Sequence, residues 1–201
     1  MIGLQRSGTN FCQELITDNF SNVSVVGNNC EDYNWKHSSE VKFLKLPDYL
    51  VYVYKHPLMW VESAVVSIVP DFLDKLPFSS EDPKVNNISL KCLVDLYNTN
   101  LNSWVINYNN ILPIVYVKYE NLLLDSDIEI FFKELQNKFN FNRCTKKIYK
   151  SNLGETHMSQ GYYPENHLNK YLELKCNILS KQEQEYILNN IDEKILKLYD
   201  T

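Results

Sequence analysis

Short β-type runs alternate along this chain with segments of helical periodicity, and that alternation constrains the fold more than any other feature. Ile2–Leu4, Val23–Val26, Leu50–Tyr54 and Ile114–Val117 are compact apolar runs, most of them followed by turn residues and then by a helical pattern. Helices are expected over Asn10–Phe20, Leu58–Ile68 and Leu90–Tyr108. Two further starts carry the S-x-x-E capping pattern, at Ser126–Glu129 and Ser180–Glu183. Strand–helix alternation predicts an α/β fold, a parallel central sheet with helices on both faces. Val69–Ile88, with Pro70, Pro77 and Pro83, reads as an irregular excursion that could cover a site.

At 201 residues, with no internal repeat and no linker, a single domain over 1–201 is the simplest organisation. The net charge of −5 argues against a broad nucleic-acid surface but leaves room for a local anion site. No apolar run approaches the roughly 18 residues of a membrane span, and no secretory leader is visible. The five cysteines are odd in number and scattered, without a C-x-x-C pair, which points away from a disulfide framework or zinc site and towards a reducing, cytoplasmic compartment. The shortness of the first strand leaves a start upstream of Met1 open. Only two arginines are present, Arg6 and Arg143, so a lysine can stand where an arginine fork would be expected.

The first strand runs into Gln5-Arg6-Ser7-Gly8-Thr9-Asn10 and then a helix. Main-chain N–H groups at such a turn, added to the helix dipole, form an anion cradle. Gly8 would permit close approach, and Arg6 would add a planar charged fork. The Gly3-x4-Gly8 spacing opens like a Walker A loop, but Thr9 stands where that loop has lysine.

A second candidate follows Leu50–Tyr54, where Lys55-His56-Pro57 ends the strand and Ser63 falls early in the next helix. Ligands of open α/β sheets collect at strand carboxyl ends, and Ser63 lies close enough to share an anion with Lys55. A third fragment, Val117-Lys118-Tyr119-Glu120-Asn121-Leu122, ends the strand at Ile114–Val117.

Together, in this order, the three fragments resemble the sulfotransferases that use 3′-phosphoadenosine 5′-phosphosulfate (PAPS). The resemblance covers roughly the first 125 residues. It implies a P-loop-like sulfotransferase architecture and assigns Arg6, Ser7, Gly8, Thr9 and Asn10 to the 5′-phosphosulfate. Phe11 and Tyr119 would lie beside adenine, with Lys55 and Ser63 on the 3′-phosphate. Three positions depart from the family pattern: Gln5 replaces a proline, Lys55-His56 replaces Arg-Asp, and Asn121 replaces an aspartate.

For the chemistry, Trp35-Lys36-His37-Ser38 follows the second expected strand. An imidazole with an ordinary pKa of about 6.5 can take the acceptor's proton near neutrality. His37 is therefore the expected base, with Lys36 and Arg6 placed to stabilise the transferring group. Glu31, Asp32, Glu40 and Glu62 are alternative bases. The implied reaction is in-line transfer of a sulfuryl group to a hydroxyl or amine of a small molecule or glycan. The bisphosphate 3′-phosphoadenosine 5′-phosphate (PAP) would be the product, with no metal required. Two other readings share the first loop: a P-loop small-molecule kinase, and a catalytically degenerate nucleotide-binding or interaction module. Arg143, Lys146, Lys147 and Lys150 form a basic cluster, expected to be a solvated face. Acceptor identity and oligomeric state are not readable from the chain.

Overall fold

The computed structural model describes residues 1–4, 6–25, 47–67, 83–108, 112–146, 148 and 165–199. Within these residues the fold is α/β: a small parallel sheet with helices packed around it. Strands β1 (Leu50–Tyr54) and β4 (Ile114–Lys118) pair in parallel, Leu50 opposite Ile114 and Tyr54 opposite Lys118. The Met1–Leu4 segment lies on the other side of β1. It forms a single parallel bridge between Ile2 and Tyr52, in which Ile2 N donates to Val51 O (2.9 Å) and Val53 N donates to Ile2 O (2.8 Å). The expected first strand is thus reduced to one bridging residue. All five residues of β1 are buried, as a strand covered on both faces requires.

Helix α1 (Thr9–Asn19) follows the first loop, and α2 (Pro57–Ser67) follows β1. Pro57 stands at the first helical position, where its missing N–H costs nothing. A two-residue antiparallel pair, β2 (Lys84–Val85) with β3 (Ile88–Ser89), lies at the end of the expected irregular excursion, of which 69–82 are outside the described residues. Ser89 then caps α3 (Leu90–Leu101), its Oγ accepting from Cys92 N. The long helix expected to Tyr108 instead widens into a π turn at Asn102–Ile106, which carries the fully buried Trp104. Trp104 stacks between Tyr52 (6.3 Å between centroids) and Tyr108 (5.9 Å).

After β4 a short 3-10 turn, Glu120–Leu123, feeds into α4 (Asp125–Phe139). The capping pattern at Ser126 is not used. Leu124 supplies the N-cap carbonyl to Asp127 N and Ile128 N, and Ser126 Oγ donates to Asp127 Oδ1. The chain remains folded in the preceding turn until Leu124, so the helix nucleates before Ser126. The second capping box is present in full: Ser180 Oγ accepts from Glu183 N (3.3 Å), and Glu183 Oε2 accepts from Ser180 N (2.6 Å). It opens α6 (Lys181–Asn190), which lies between α5 (Glu165–Leu172) and α7 (Glu193–Leu196).

The strand expected at Val23–Val26 is corrected over its described part, Val23–Val25, which has no ladder. After α1 the chain pairs instead with the segment following α4. Phe20 bridges Arg143, Ser21 N donates to Asn142 O, and Asn142 N donates to Asn22 Oδ1. Val23 and Val25 are half-buried against the core with Ser24 exposed between them, so the alternation that suggests a strand is real but serves packing alone. No described helix is long and apolar enough to cross a membrane.

Candidate functional site

The site is built where the first loop meets the carboxyl ends of β1 and β4. The loop is shaped by two glycines. A Cβ on Gly3 would stand 2.2 Å from Val53 O, so only glycine lets the loop lie against β1. Gly8, at φ 92°, is the N-cap of α1 and has no side chain to offer the helix's first turn. A Cβ there would stand 2.1 Å from Cδ2 of Tyr119. The residue expected to admit an anion also admits a tyrosine ring. Ser7 is buried and spends both its N–H and its Oγ on Leu4 O (3.0 and 2.7 Å), so its side chain holds the loop. Thr9 is buried beside Gly3, Asn10 is half-buried, and Arg6, at φ 70°, projects into solvent.

Phe11 meets Tyr119 edge-on, with 6.2 Å between centroids. Tyr119 N donates to Tyr54 O (2.7 Å), carrying the parallel register one step past β4 and setting Tyr119 beside Lys55. The Lys55 ammonium lies 4.4 Å from the centre of the Tyr119 ring and 4.9 Å from that of Tyr171, donating to the Tyr171 hydroxyl at 3.3 Å. That hydroxyl is in turn 3.5 Å from Ser63 Oγ, which bonds Met59 O at 2.9 Å. Gly8, Phe11, Tyr119, Lys55 and Ser63 are brought together through the Tyr119 and Tyr171 rings, while Arg6 is exposed. Lys36 and His37 lie outside the described residues, as do Glu31, Asp32 and Glu40.

Lys55 is only 4% exposed, and among the described residues its one hydrogen bond is to a phenol, with no carboxylate in ion-pair contact. Burial pushes its pKa below the ordinary lysine value. The nearby Arg6 charge lowers it further, while Tyr171 and Glu120 oppose the shift. Two aromatic faces recover part of the lost hydration. They do not replace a counter-ion, and a buried ammonium without one costs several kcal/mol.

The strand end that carries Lys55 is held firmly. Its carbonyl accepts from both Tyr97 (2.6 Å) and Tyr199 (2.8 Å), whose hydroxyls are 2.5 Å apart; burial keeps both phenols protonated and donating. His56 acts as the N-cap of α2: its Nδ1 accepts from Leu58 N (3.3 Å) and its carbonyl from Trp60 N (2.8 Å). Protonation of Nδ1 would remove that acceptor. Burial first, and Lys118 second, hold its pKa down at about 4. Glu120 Oε1 accepts from His56 N (3.0 Å) and ties β4 to β1. Its Oε2 is buried with no hydrogen-bond partner among the described residues, and burial raises the carboxyl's pKa.

Glu62, an alternative base, is committed elsewhere. Buried to 2% exposure, it pairs with Lys170 and accepts from Asn177 N (2.9 Å), clamping α5 onto α2 and so setting the position of Tyr171. Arg143 is likewise structural, forking onto Glu129 (2.5 and 2.8 Å) over the Phe132 ring, while Lys146 is exposed. Two open surface depressions, of about 550 and 430 Å³, are lined from α4 and the Arg143–Lys146 segment and by no residue of the Gly8–Ser63 cluster.

Tyr171, Tyr97 and Tyr199 are given no site role in the sequence reading, and Glu120 enters it only as part of the third fragment. Tyr171 is 116 residues from Lys55, and no local pattern announces such a contact. Among the described residues no group of three His, Cys, Asp or Glu side chains is placed to hold a metal ion, and no disulfide involves Cys12, Cys92, Cys144 or Cys176. No protein-family model matches the chain, and no curated protein or solved structure matches it either.

Proposed function

We propose that this chain is a sulfotransferase that uses PAPS and transfers its sulfuryl group in line to an acceptor hydroxyl or amine. The observation that carries the reading is Lys55: a buried cation, lacking a described carboxylate partner, joined to Ser63 through Tyr171 and to the α1 N-terminus through Tyr119 and Gly8. One nucleotide with a phosphate at each end would meet both places. Its adenine would lie beside Phe11 and Tyr119, whose buried rings meet edge-on.

PAPS supplies an activated sulfuryl group and a phosphate leaving group. The chain's own residues bind and orient. The first-turn amides of α1 and the Arg6 guanidinium favour the 5′ anion as charge gathers there, and Lys55 with Ser63 takes the 3′ end. His37 is proposed as the group that accepts the acceptor's proton, and Lys36 as a second cation at the transferring group. The substrate would be a small molecule or a glycan. A net charge of −5 over the whole chain fits neither a nucleic-acid partner nor one that is strongly anionic overall.

The test is transfer of labelled sulfate from PAPS to a panel of phenols, sugars and amines. Label in any product, lost in Arg6→Ala, supports the proposal. Binding of the bisphosphate without transfer to any acceptor would favour the degenerate module, and magnesium-dependent ATP consumption would favour the kinase.

A further inference from the structure

Tyr199, in the turn that follows α7, is half-buried and seated at the carboxyl ends of β1 and β4. Its hydroxyl donates to Lys55 O (2.8 Å) and lies 2.5 Å from the Tyr97 hydroxyl. Its ring meets those of Tyr54 and His56 edge-on, at 5.7 and 5.1 Å between centroids, and the Lys118 ammonium stands 5.4 Å from its centre. The seat therefore grips a phenol at both ends, by a carbonyl at the hydroxyl and by aromatic edges and a cation at the ring. Burial first, then Tyr97 and the Glu120 charge, push the Tyr199 pKa up, so the seat takes a phenol in its neutral form.

This occupant is removable. Tyr97 also donates to Lys55 O, at 2.6 Å, so the carbonyl keeps a partner when Tyr199 leaves and no buried acceptor is orphaned. The backbone hydrogen bonds of Leu198 and Tyr199 are local, to Ile195 O (3.0 Å) and Leu196 O (2.9 Å), so the turn lifts without breaking a main-chain tie to the sheet. Leu196 and Leu198 beside it are only half-buried. The chain ahead of the turn is anchored on its own: Ile195 is fully buried, and Asn98 on α3 binds both Asn190 O (2.9 Å) and Asp192 N (3.0 Å).

We infer that Tyr199 is a strap filling a binding site for a small neutral phenol, and that its release admits such a ligand against Tyr97 and the Lys55 carbonyl. The inference stands apart from the sulfotransferase reading, since it uses neither the first loop nor a nucleotide. The ligand exchanges with the chain's own phenol at the strand end that carries Lys55.

The test uses 4-methylphenol, the tyrosine side chain as a free molecule, in NMR titrations of the wild type, Tyr199→Phe and Tyr199→Ala. In Tyr199→Ala the seat is vacant, so the probe should bind and shift the amide signals of Lys55, His56 and Tyr97. In the wild type the strap competes, and the apparent Kd should be weaker by the inverse of the open fraction, about 10–1,000-fold. Tyr199→Phe, which keeps the ring and loses the hydroxyl bond, should fall between the two. Relaxation dispersion of the unliganded wild type should also show His56 and Tyr199 exchanging with a minor state, in which the His56 shifts match those of Tyr199→Ala. A folded Tyr199→Ala that does not bind the probe removes the phenol site. Equal Kd in all three proteins places the probe elsewhere and overturns the inference. Flat dispersion at His56 and Tyr199 makes Tyr199 a fixed core residue and overturns the strap. Should Tyr199→Ala not fold, Tyr199→Phe decides: tighter binding than the wild type supports the inference, and equal or weaker binding overturns it.

Discussion

Gly8 lies directly beneath the ring of Tyr119, so close that one added carbon would stand 2.1 Å from Cδ2. This contact joins the amino-terminal loop to the end of β4, 111 residues later in the chain. It explains the glycine through packing as well as through any ligand. Gly8→Ala combines a steric clash with a left-handed φ, and should cost about 2–4 kcal/mol in urea unfolding. Tyr119→Ala in the same chain removes the ring and should restore at least 1 kcal/mol of that loss, a coupling a double-mutant cycle measures. Strict additivity would mean that the two residues do not meet.

Lys55→Met separates stability from binding. Replacing a buried ammonium that has no ion-pair partner among the described residues with an apolar chain of similar length should leave the urea midpoint unchanged or raise it. The same change should weaken adenosine 3′,5′-bisphosphate by roughly 10–100-fold, the range for a lost charge-assisted contact. A variant that is both less stable and equally good at binding would assign Lys55 to the core.

Binding should also take up protons. Free Lys55 has a pKa below the ordinary lysine value, and an adjacent phosphate favours the charged form and raises it. Bisphosphate affinity should therefore fall as pH rises through the depressed pKa of the free protein. Calorimetry in buffers of different ionisation enthalpy should show net proton uptake above that pKa. Lys55→Met should lose the uptake, whereas unchanged uptake in the variant would place the titrating group elsewhere.

His56 makes the fold sensitive to acid. Its folded pKa of about 4 lies below the ordinary 6.5, so the unfolded chain binds more protons between those values. Stability accordingly rises with pH across that window, and is lost as pH falls from 6.5 towards 4, by at most roughly 3 kcal/mol. His56→Asn keeps an acceptor for Leu58 N without the titration. The difference between the two stability–pH curves, which cancels the carboxylates common to both, should show this slope. Parallel curves would remove His56 as its source.

Much of the site frame was readable because it depends on short-range pattern. Leu50–Tyr54 is a continuous apolar run ended by Lys-His-Pro, and the strand and the helix after it follow from burial on both faces and from a proline at the first helical position. The Ser180 box closes within four residues and needs no tertiary partner. Ser126 shows the same letters in a different setting, where the extended N-cap position falls on Leu124 and the serine is already inside the helix. The valines after α1 alternate as in a strand, but their neighbours find partners beyond α4, across 120 residues. Lys55 and Ser63 were legible as a pair because helix geometry relates them. That Tyr171 joins them, and that Tyr97 and Tyr199 share one carbonyl, depends on how distant helices dock, which no spacing encodes.

The most direct test of a nucleotide held at both ends is a thermal-shift comparison of adenosine 3′,5′-bisphosphate, ATP and 5′-AMP at equal concentrations. Only a ligand that prefers the native state raises Tm, by mass action. The bisphosphate should give a clear rise and the other two little or none. An equal rise with AMP, or a rise with ATP alone, would contradict the account.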